Sequence, residues 1–330
     1  MEKGLFLTEA KSIAIVRTDK LGDMVLTLPM IPALKKINPK SQISVIASSY
    51  CEPLLSGQEL IHQTHYVDKT EGGIKRIFKD NRFDAVFFPR PKFDEILAAN
   101  RAGIKLRIGS GYRWYSFLLN NQVFVHRKYA EKSEAQYNVD LISSVAGIAL
   151  EAKALAPKYD EAEFLELKER LGISEKFIII HPGGGGSAPR WSAENFGELA
   201  KKVESLNQFQ IFISGSKYEK DKCAIVKSYS PNAIDISGDV NLRQMIGLCK
   251  NTQALVSNST GVLHIAASFD SPILGFYPNT LSMSAKRWGP LTAKSIILNP
   301  PKSKDPKLND NLDLISAELA FSSFVQLLSI

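Results

Sequence analysis

Short runs of β-branched and aromatic residues recur along the chain, each followed by a stretch whose apolar residues are spaced three and four apart. In the first half, SIAIVR (12–17), QISVIAS (42–48), the weaker HQTHYVD (62–68) and the strong FDAVFFP (83–89) read as strands, with GGIKRIFKDN (72–81) a helix between the last two. In the second half the strands are KFIIIH (176–181), FQIFISG (209–215), AIDISG (233–238), QALVSN (253–258) and PILGFYP (272–278). ENFGELAKKVESL (194–206) is the clearest helix. Strands separated by helices imply parallel pairing through right-handed crossovers. The pattern predicts an α/β chain of two Rossmann-like αβα domains, 1–158 and 159–330, divided within EAKALAPKYDEAE (151–163). Two such halves facing one another place a ligand in a central cleft, at the carboxyl ends of the strands. The last helical pattern, LDLISAELAFSSFVQLLSI, fits packing on either domain, including a return onto the first. DPKLNDNLD, near residue 305, reads as a solvated loop.

One segment breaks the pattern. RTDKLGDMVLTLPMIPALKK, from Arg17 to Lys36, sets Asp19 and Asp23 four residues apart beside Gly22, directly after a strand. It also places Pro29 and Pro32 in an otherwise helical run to about Ile37. Each proline removes a backbone donor and crowds the preceding turn, so a kinked or two-piece helix is expected. An Asp/Gly strand-to-helix turn is by itself an ordinary connector.

Composition narrows the class. The chain has 330 residues, 44% hydrophobic and 23% charged, as two globular domains would. No apolar run approaches the roughly 18–20 residues of a membrane span. The N-terminus MEKGLFLTEAK does not read as a signal peptide. Cys51, Cys223 and Cys249 are widely separated, odd in number and without CxxC spacing, which points to buried, reduced thiols and a cytoplasmic setting. The net charge of +7 is uneven. Residues 1–150 hold 21 Lys and Arg against 15 Asp and Glu, while residues 151–330 hold 20 against 19. The basic half suggests an anionic partner, such as a phosphorylated substrate or an anionic membrane surface, with plain solubilising charge as the alternative. Nothing resembles a nucleic-acid-binding module.

Two glycine-containing junctions in the second half have chemistry of their own. HPGGGGSAPRW (181–191) follows a strand and precedes a helix, so Gly183, Gly184 and Gly185 allow close backbone approach to a ligand and the helix start offers free amides. Arg190 adds a permanent charge suited to phosphate oxygens, and Ser192 is positioned as an N-cap. The loop is neither a Walker motif nor GxGxxG. VSNSTGVLHIAASF (256–269) is the second junction, where Ser259 and Thr260 can cap a helix and Gly261 permits close approach. His264 on that helix is more readily a packed residue than a catalyst. Glu219 in GSKYEKD (215–221) lies just past a strand end, as either an acceptor for ribose hydroxyls or a surface acid near Lys220 and Lys222.

The order R-x-D-x-x-G-D-x-V-L-x-x-P-x-x-x-x-L-K, then H-P-G-x-G…R-W-S-x-E-N-F-x-x-L, then S-N-x-[ST]-G-x-x-H-x-A-A resembles glycosyltransferase family 9, the heptosyltransferases of lipopolysaccharide assembly. The resemblance runs from about residue 12 to 290. It implies a GT-B fold, with the acceptor mainly on the first domain and the nucleotide sugar mainly on the second. It also implies inversion at the anomeric carbon without a catalytic metal or other cofactor. By the same resemblance Asp23 is the general base, with Arg17, Asp19 and Gly22 on the acceptor side. Asp19 would raise the pKa of Asp23 by like-charge repulsion and Arg17 would oppose it, a balance the sequence leaves open. The donor side comprises Gly183, Gly184, Gly185, Arg190, Trp191, Glu219, Ser259, Thr260, Gly261 and His264, with Arg190 also catalytic, neutralising the departing diphosphate. Ser259 departs from the Asp common at that position, which leaves the donor sugar open.

These expectations converge on an ADP-heptose-dependent transferase acting on an anionic glycolipid core at the inner face of the cytoplasmic membrane. Arg90, Lys92, Arg101, Lys105 and Arg107 are the candidates for a basic peripheral contact. The alternatives are a related transferase with another nucleotide sugar or a protein acceptor, and a catalytically silent nucleotide-binding protein.

Overall fold

The computed structural model describes residues 7–184 and 188–329. The chain divides into two compact units, residues 1–127 with 132–158, and residues 128–131 with 159–330.

The first unit is built on a six-stranded, all-parallel sheet. Its chain order is β1 (Ser12–Arg17), α1 (Leu21–Val25), α2 (Met30–Ile37), β2 (Gln42–Ala47), β3 (Gln63–Tyr66), α3 (Gly73–Asp80), β4 (Ala85–Phe88), α4 (Phe93–Arg101), β5 (Leu106–Ser110), β6 (Asn121–Val123) and α5 (Glu134–Ala146). The strand order is β3-β2-β1-β4-β5-β6. β1 is central, in register with β2 from Ser12 opposite Gln42 to Arg17 opposite Ala47. Helices cover both faces of such a sheet, so Ile13, Ala14, Ile15 and Val16 are all buried instead of alternating.

The first helix does come in two pieces. α1 closes at Val25, and α2 begins after Pro29, which occupies its N-cap position. Pro32 then sits in the first turn of α2, where a missing N–H leaves no intrahelical bond unmade.

The second unit repeats the plan. It runs α6 (Glu161–Leu171), β7 (Phe177–His181), α7 (Ala193–Glu204), β8 (Gln210–Ile213), α8 (Lys220–Tyr229), β9 (Ile234–Asp235), α9 (Leu242–Asn251), β10 (Ala254–Asn258), α10 (Gly261–Ser268), β11 (Ile273–Phe276), β12 (Ser295–Leu298) and α11 (Ala317–Leu327). Its sheet, β12-β11-β10-β7-β8-β9, has the same 3-2-1-4-5-6 order once its strands are counted from β7, and every pair is parallel.

The final helix belongs to this second unit. Phe324 and Leu327 of α11 join the core formed by Phe196, Leu199 and Val203 of α7. The DPKLNDNLD segment is not a plain solvated loop. Leu312 is buried in that core, and Asp313 accepts hydrogen bonds from Ser192 N (2.8 Å) and Asn195 Nδ2 (3.0 Å) at the start of α7.

Candidate active site

In a sheet of this order the crossovers leave β1 and β4 in opposite directions, opening a crevice at their carboxyl ends. Both junctions singled out in the second unit, and the Asp/Gly segment in the first, lie at such positions.

In the first unit, Arg17 closes β1 and is 3% exposed. It forms ion pairs with both carboxylates of the segment. Its Nε lies 2.6 Å from Asp19 Oδ1, off the hydrogen-bonding direction, and its second amino group donates to Asp23 Oδ1. The remaining nitrogen, Nη1, is buried without a partner. Asp19 precedes α1 and is held from the β4 side by Arg90, Nη1 to Oδ2 at 2.8 Å. Asp23 lies in the first turn of α1, where a helix N-terminus favours a negative charge. Side-chain exposure rises from 2% at Arg17 through 7% at Asp19 to 16% at Asp23, so Asp23 is the most accessible of the three.

The pKa of Asp23 is raised. Burial is the largest cause; Arg17 opposes it, and Asp19 and Glu134 reinforce it. The like-charge effect of Asp19 acts in the expected direction but ranks below both desolvation and the opposing Arg17 charge. Gly22 lies beside Asp23 in α1, its carbonyl accepting from Leu26 N (3.0 Å).

Residues from the loop after β4 complete this cluster. Thr18 Oγ1 donates to Glu95 Oε1 at 2.5 Å and accepts from Lys92 Nζ at 2.6 Å. Glu95, on α4 and 7% exposed, is also raised in pKa by burial, with Thr18 and Lys92 working against the shift. Glu134 is buried and paired with Arg127. Glu95, Thr18 and Glu134 were not singled out in the sequence. A signal was present, since PRPKFDE directly follows the strand that neighbours β1. Arg90 and Lys92, expected on a basic surface, pair with this acidic cluster while their side chains stay partly exposed. Arg107 is likewise occupied, donating to the carbonyls of Leu118 (2.8 Å) and Ile104 (2.5 Å).

The second unit uses backbone in place of charge. Glu219, past the end of β8, accepts from Gly184 N (2.6 Å), Ser216 N (2.9 Å) and Ser216 Oγ (2.8 Å). Burial pushes its pKa up, but those hydrogen bonds prevail and hold it below the usual carboxylate range. The carboxylate lies so close to Gly183 that an added Cβ would meet Glu219 Oε1 at 2.3 Å. That approach is what the glycine permits. Arg190 is exposed and its aliphatic stem passes over Gly184. Gly185 lies outside the described residues.

Asn258 fastens the two junctions together. Its Oδ1 accepts from Trp191 N at 2.9 Å, and its Nδ2 donates to the Pro182 carbonyl at 3.1 Å. Thr260 caps α10, accepting from Leu263 N at 3.3 Å, which leaves Gly261 as the first helical residue. Ser259 lies near the phenol of the buried Tyr277, whose hydroxyl donates to the Trp288 carbonyl at 2.9 Å.

Two residues expected on the donor side are buried. Trp191 is 1% exposed, stacks on Phe276 with centroids 4.1 Å apart, and donates its indole N–H to the Ile315 carbonyl at 2.9 Å. It is a core residue that fixes the segment bearing Arg190. His264 is 5% exposed with Nδ1 unpartnered, and burial pushes its pKa down to about 4. A neutral, interior imidazole does not present charge to a diphosphate.

A family model for glycosyltransferase family 9 (heptosyltransferase) matches residues 74–314. The chain belongs to glycosyltransferase family 9. Among the family's relatives, a Haemophilus influenzae protein named "Putative glycosyltransferase" is 30% identical, over 94% of this chain and 95% of its own. A solved family 9 glycosyltransferase from Veillonella parvula superposes with a TM-score of 0.85 at 19% identity, covering 100% of this chain and 99% of that one. The structure titled ADP-heptose lps heptosyltransferase II, from Escherichia coli, gives 0.81 at 20% identity, covering 96% and 98%. At these identities the superpositions establish the fold, which is GT-B with two Rossmann-like units. As a family 9 member the protein is a glycosyltransferase. The matched span begins after the Arg17–Asp23 segment, so the roles of those residues rest on their geometry.

Proposed function

We infer that this glycosyltransferase transfers heptose from ADP-heptose, with inversion, to an anionic glycolipid of the lipopolysaccharide-core type at the cytoplasmic face of the membrane. Asp23 carries the reading. Its carboxylate is the more accessible of Arg17's two carboxylate partners, follows the carboxyl end of the central strand, and has a pKa raised by burial, the direction a general base needs. In the inverting step Asp23 takes the proton from an acceptor hydroxyl as that oxygen bonds to the anomeric carbon. The bond from that carbon to the diphosphate breaks with inversion, and the nucleoside diphosphate leaves.

The second unit's part is to hold the nucleotide and neutralise the leaving group. Arg190 and the amides opening α10 are donors of the kind that stabilise such charge. Glu219 already binds three donors, so its part is to shape the loop, with its carboxylate edge the candidate for ribose hydroxyls. No metal is assigned a role. Among the described residues no group of three or more His, Cys, Asp or Glu is arranged to hold one.

The donor name comes from the relatives, and Ser259 favours a second reading within the same chemistry. A neutral hydroxyl, that of Ser259, stands where a carboxylate is common, which would suit a different nucleotide sugar. A thermal-shift screen of ADP-, UDP- and GDP-sugars separates the two, since a ligand of the native state raises Tm by mass action. Stabilisation by ADP-heptose, followed by transfer that persists in EDTA, is the expected result. A preference for another nucleotide sugar selects the second reading, and complete inhibition reversed by magnesium overturns the metal-free mechanism.

A further inference from the structure

The loop that joins β5 to β6, at the carboxyl end of the first sheet, exposes apolar surface that the transfer chemistry does not use. Trp114 is 75% exposed, Phe117 69% and Phe124 61%, with Tyr112 and Phe93 also on the surface. These side chains form an ordered array. Phe93 stacks on Trp114 with centroids 5.2 Å apart, Trp114 meets Tyr115 edge-on at 5.4 Å, and Tyr112 meets Phe124 edge-on at 5.5 Å. The backbone beneath is pinned. Buried Ser116 donates to the Ser110 carbonyl and accepts from Arg113 N, both at 3.0 Å, while Tyr115 Oη donates to the Pro91 carbonyl at 2.9 Å. Phe124 lies so tightly over Gly111 that an added Cβ would meet its ring at 2.5 Å. A fixed scaffold thus holds large apolar rings in water, against the hydrophobic effect.

Cations accompany the rings. Arg113 is exposed between Tyr112 and Trp114, and Arg90 and Lys92 flank Phe93 with side chains 57% and 41% exposed. Amphipathic Trp and Tyr with apolar Phe, beside Arg and Lys, is the composition that settles at a bilayer's headgroup boundary. A sugar-binding platform has the same taste for flat rings but needs polar side chains to read hydroxyls. Phe117 and Phe124 supply none.

We propose that the Tyr112–Phe117 loop, with Phe93 and Phe124, is a docking surface for an anionic bilayer, its rings entering the headgroup boundary and Arg113 pairing with lipid phosphate. No helix among the described residues is long and apolar enough to cross a membrane, so this contact lies on the surface. The inference deepens the glycolipid-acceptor reading above. It is tested without donor or acceptor, so its failure would leave that reading standing.

The experiment is flotation of the full chain with phosphatidylglycerol/phosphatidylethanolamine vesicles, against phosphatidylcholine vesicles as the neutral control. Binding to the anionic vesicles is expected, weakening as salt rises, because screening shortens the reach of lipid charge. Trp emission should shift to the blue on binding, and Trp114→Phe should remove most of that shift, since Trp191 is buried and Trp288 is partly buried with its indole N–H held by the Ser282 carbonyl. The double variant Trp114→Ser/Phe117→Ser, at exposed positions outside the catalytic cluster, should lower vesicle binding at least tenfold with an unchanged circular dichroism spectrum. Arg113→Glu should weaken binding to anionic vesicles and leave the neutral control unmoved. No vesicle binding by the wild-type chain, or equal binding by the double variant, overturns the proposal. A blue shift that persists in Trp114→Phe overturns it as well.

Discussion

Each unit leaves its first strand at the same point of the same six-stranded topology, yet the two turns are made of different materials. After β1 comes a set of side-chain charges: Arg17 between Asp19 and Asp23, with Arg90, Lys92 and Glu95 arriving from the loop after β4. After β7 comes backbone, with Gly184 N–H held by Glu219 and Pro182 held by Asn258. The contrast follows the two tasks. A base must change its protonation state, so it needs a side chain whose pKa the surroundings can move. A diphosphate keeps its charge and is best met by fixed dipoles that need no rearrangement. The fold supplies the crevice in both units, and the loop composition decides what the crevice does.

If that division holds, the largest effect belongs to Asp23→Asn. Transfer should fall by about a hundredfold to ten-thousandfold, the usual loss of a positioned base, while nucleotide affinity measured by titration stays within about twofold. The fold should survive, because the raised pKa means that ionised Asp23 is disfavoured in the folded state, a penalty present at neutral pH and relieved as pH falls through the folded pKa. An equal loss of nucleotide binding would erase the distinction between the units.

Arg190→Ala comes next. Turnover should drop roughly tenfold to a thousandfold, the scale of one oriented electrostatic donor, accompanied here by weaker nucleotide binding. Unchanged steady-state kinetics in a folded variant would remove Arg190 from the site.

Glu219→Ala probes the backbone half directly. It strips the acceptor from the N–H groups of Gly184 and Ser216, which should lower stability by about 1–3 kcal/mol in chemical denaturation and loosen nucleotide binding. A variant with wild-type nucleotide affinity would show that the glycine segment needs no such brace.

The smallest effect is expected from Asp19→Asn. Asp19 raises the pKa of Asp23, so its neutralisation should move the acid limb of the pH–rate profile to lower pH with little change in the plateau. The amide also frees Arg17 to act on Asp23 alone, which pushes in the same direction. A limb shifted to higher pH would mean that Asp19 acts through Arg17 in the opposite sense.

Legibility in the sequence tracked the range of the interactions involved. Strands with continuous apolar runs, such as SIAIVR and KFIIIH, were readable because burial on both faces leaves no polar alternation. β5, β6 and β12 were not read. LRIGS has a glycine, NQV is three residues long, and SIIL lies at a sheet edge where it is only half buried. AIDISG shrinks to Ile234–Asp235 at the opposite edge. At the site, residues within one segment, such as Asp19 and Asp23, could be grouped by eye. Glu95 could not, because its partner Thr18 lies 77 positions away, and neither could Asp313, which reaches back to Ser192. Trp191 shows the same limit. It adjoins Arg190, but the strand-to-helix turn sends the two side chains to opposite environments, one exposed and one in the core.

Asn258 has a consequence for anyone who would re-engineer donor choice. Its amide is 1% exposed and uses both ends at once, the oxygen on Trp191 N–H and the nitrogen on the Pro182 and Trp191 carbonyls. Asp or Leu at this position would forfeit at least one half of that pattern inside the core, where an unpaired polar group is expensive. The loops after β7 and β10 therefore form one exchangeable cassette. A graft that imports the glycine segment from a relative has to bring the matching Ser257–Gly261 loop with it, because a chimera joined between them inherits a seam at Asn258.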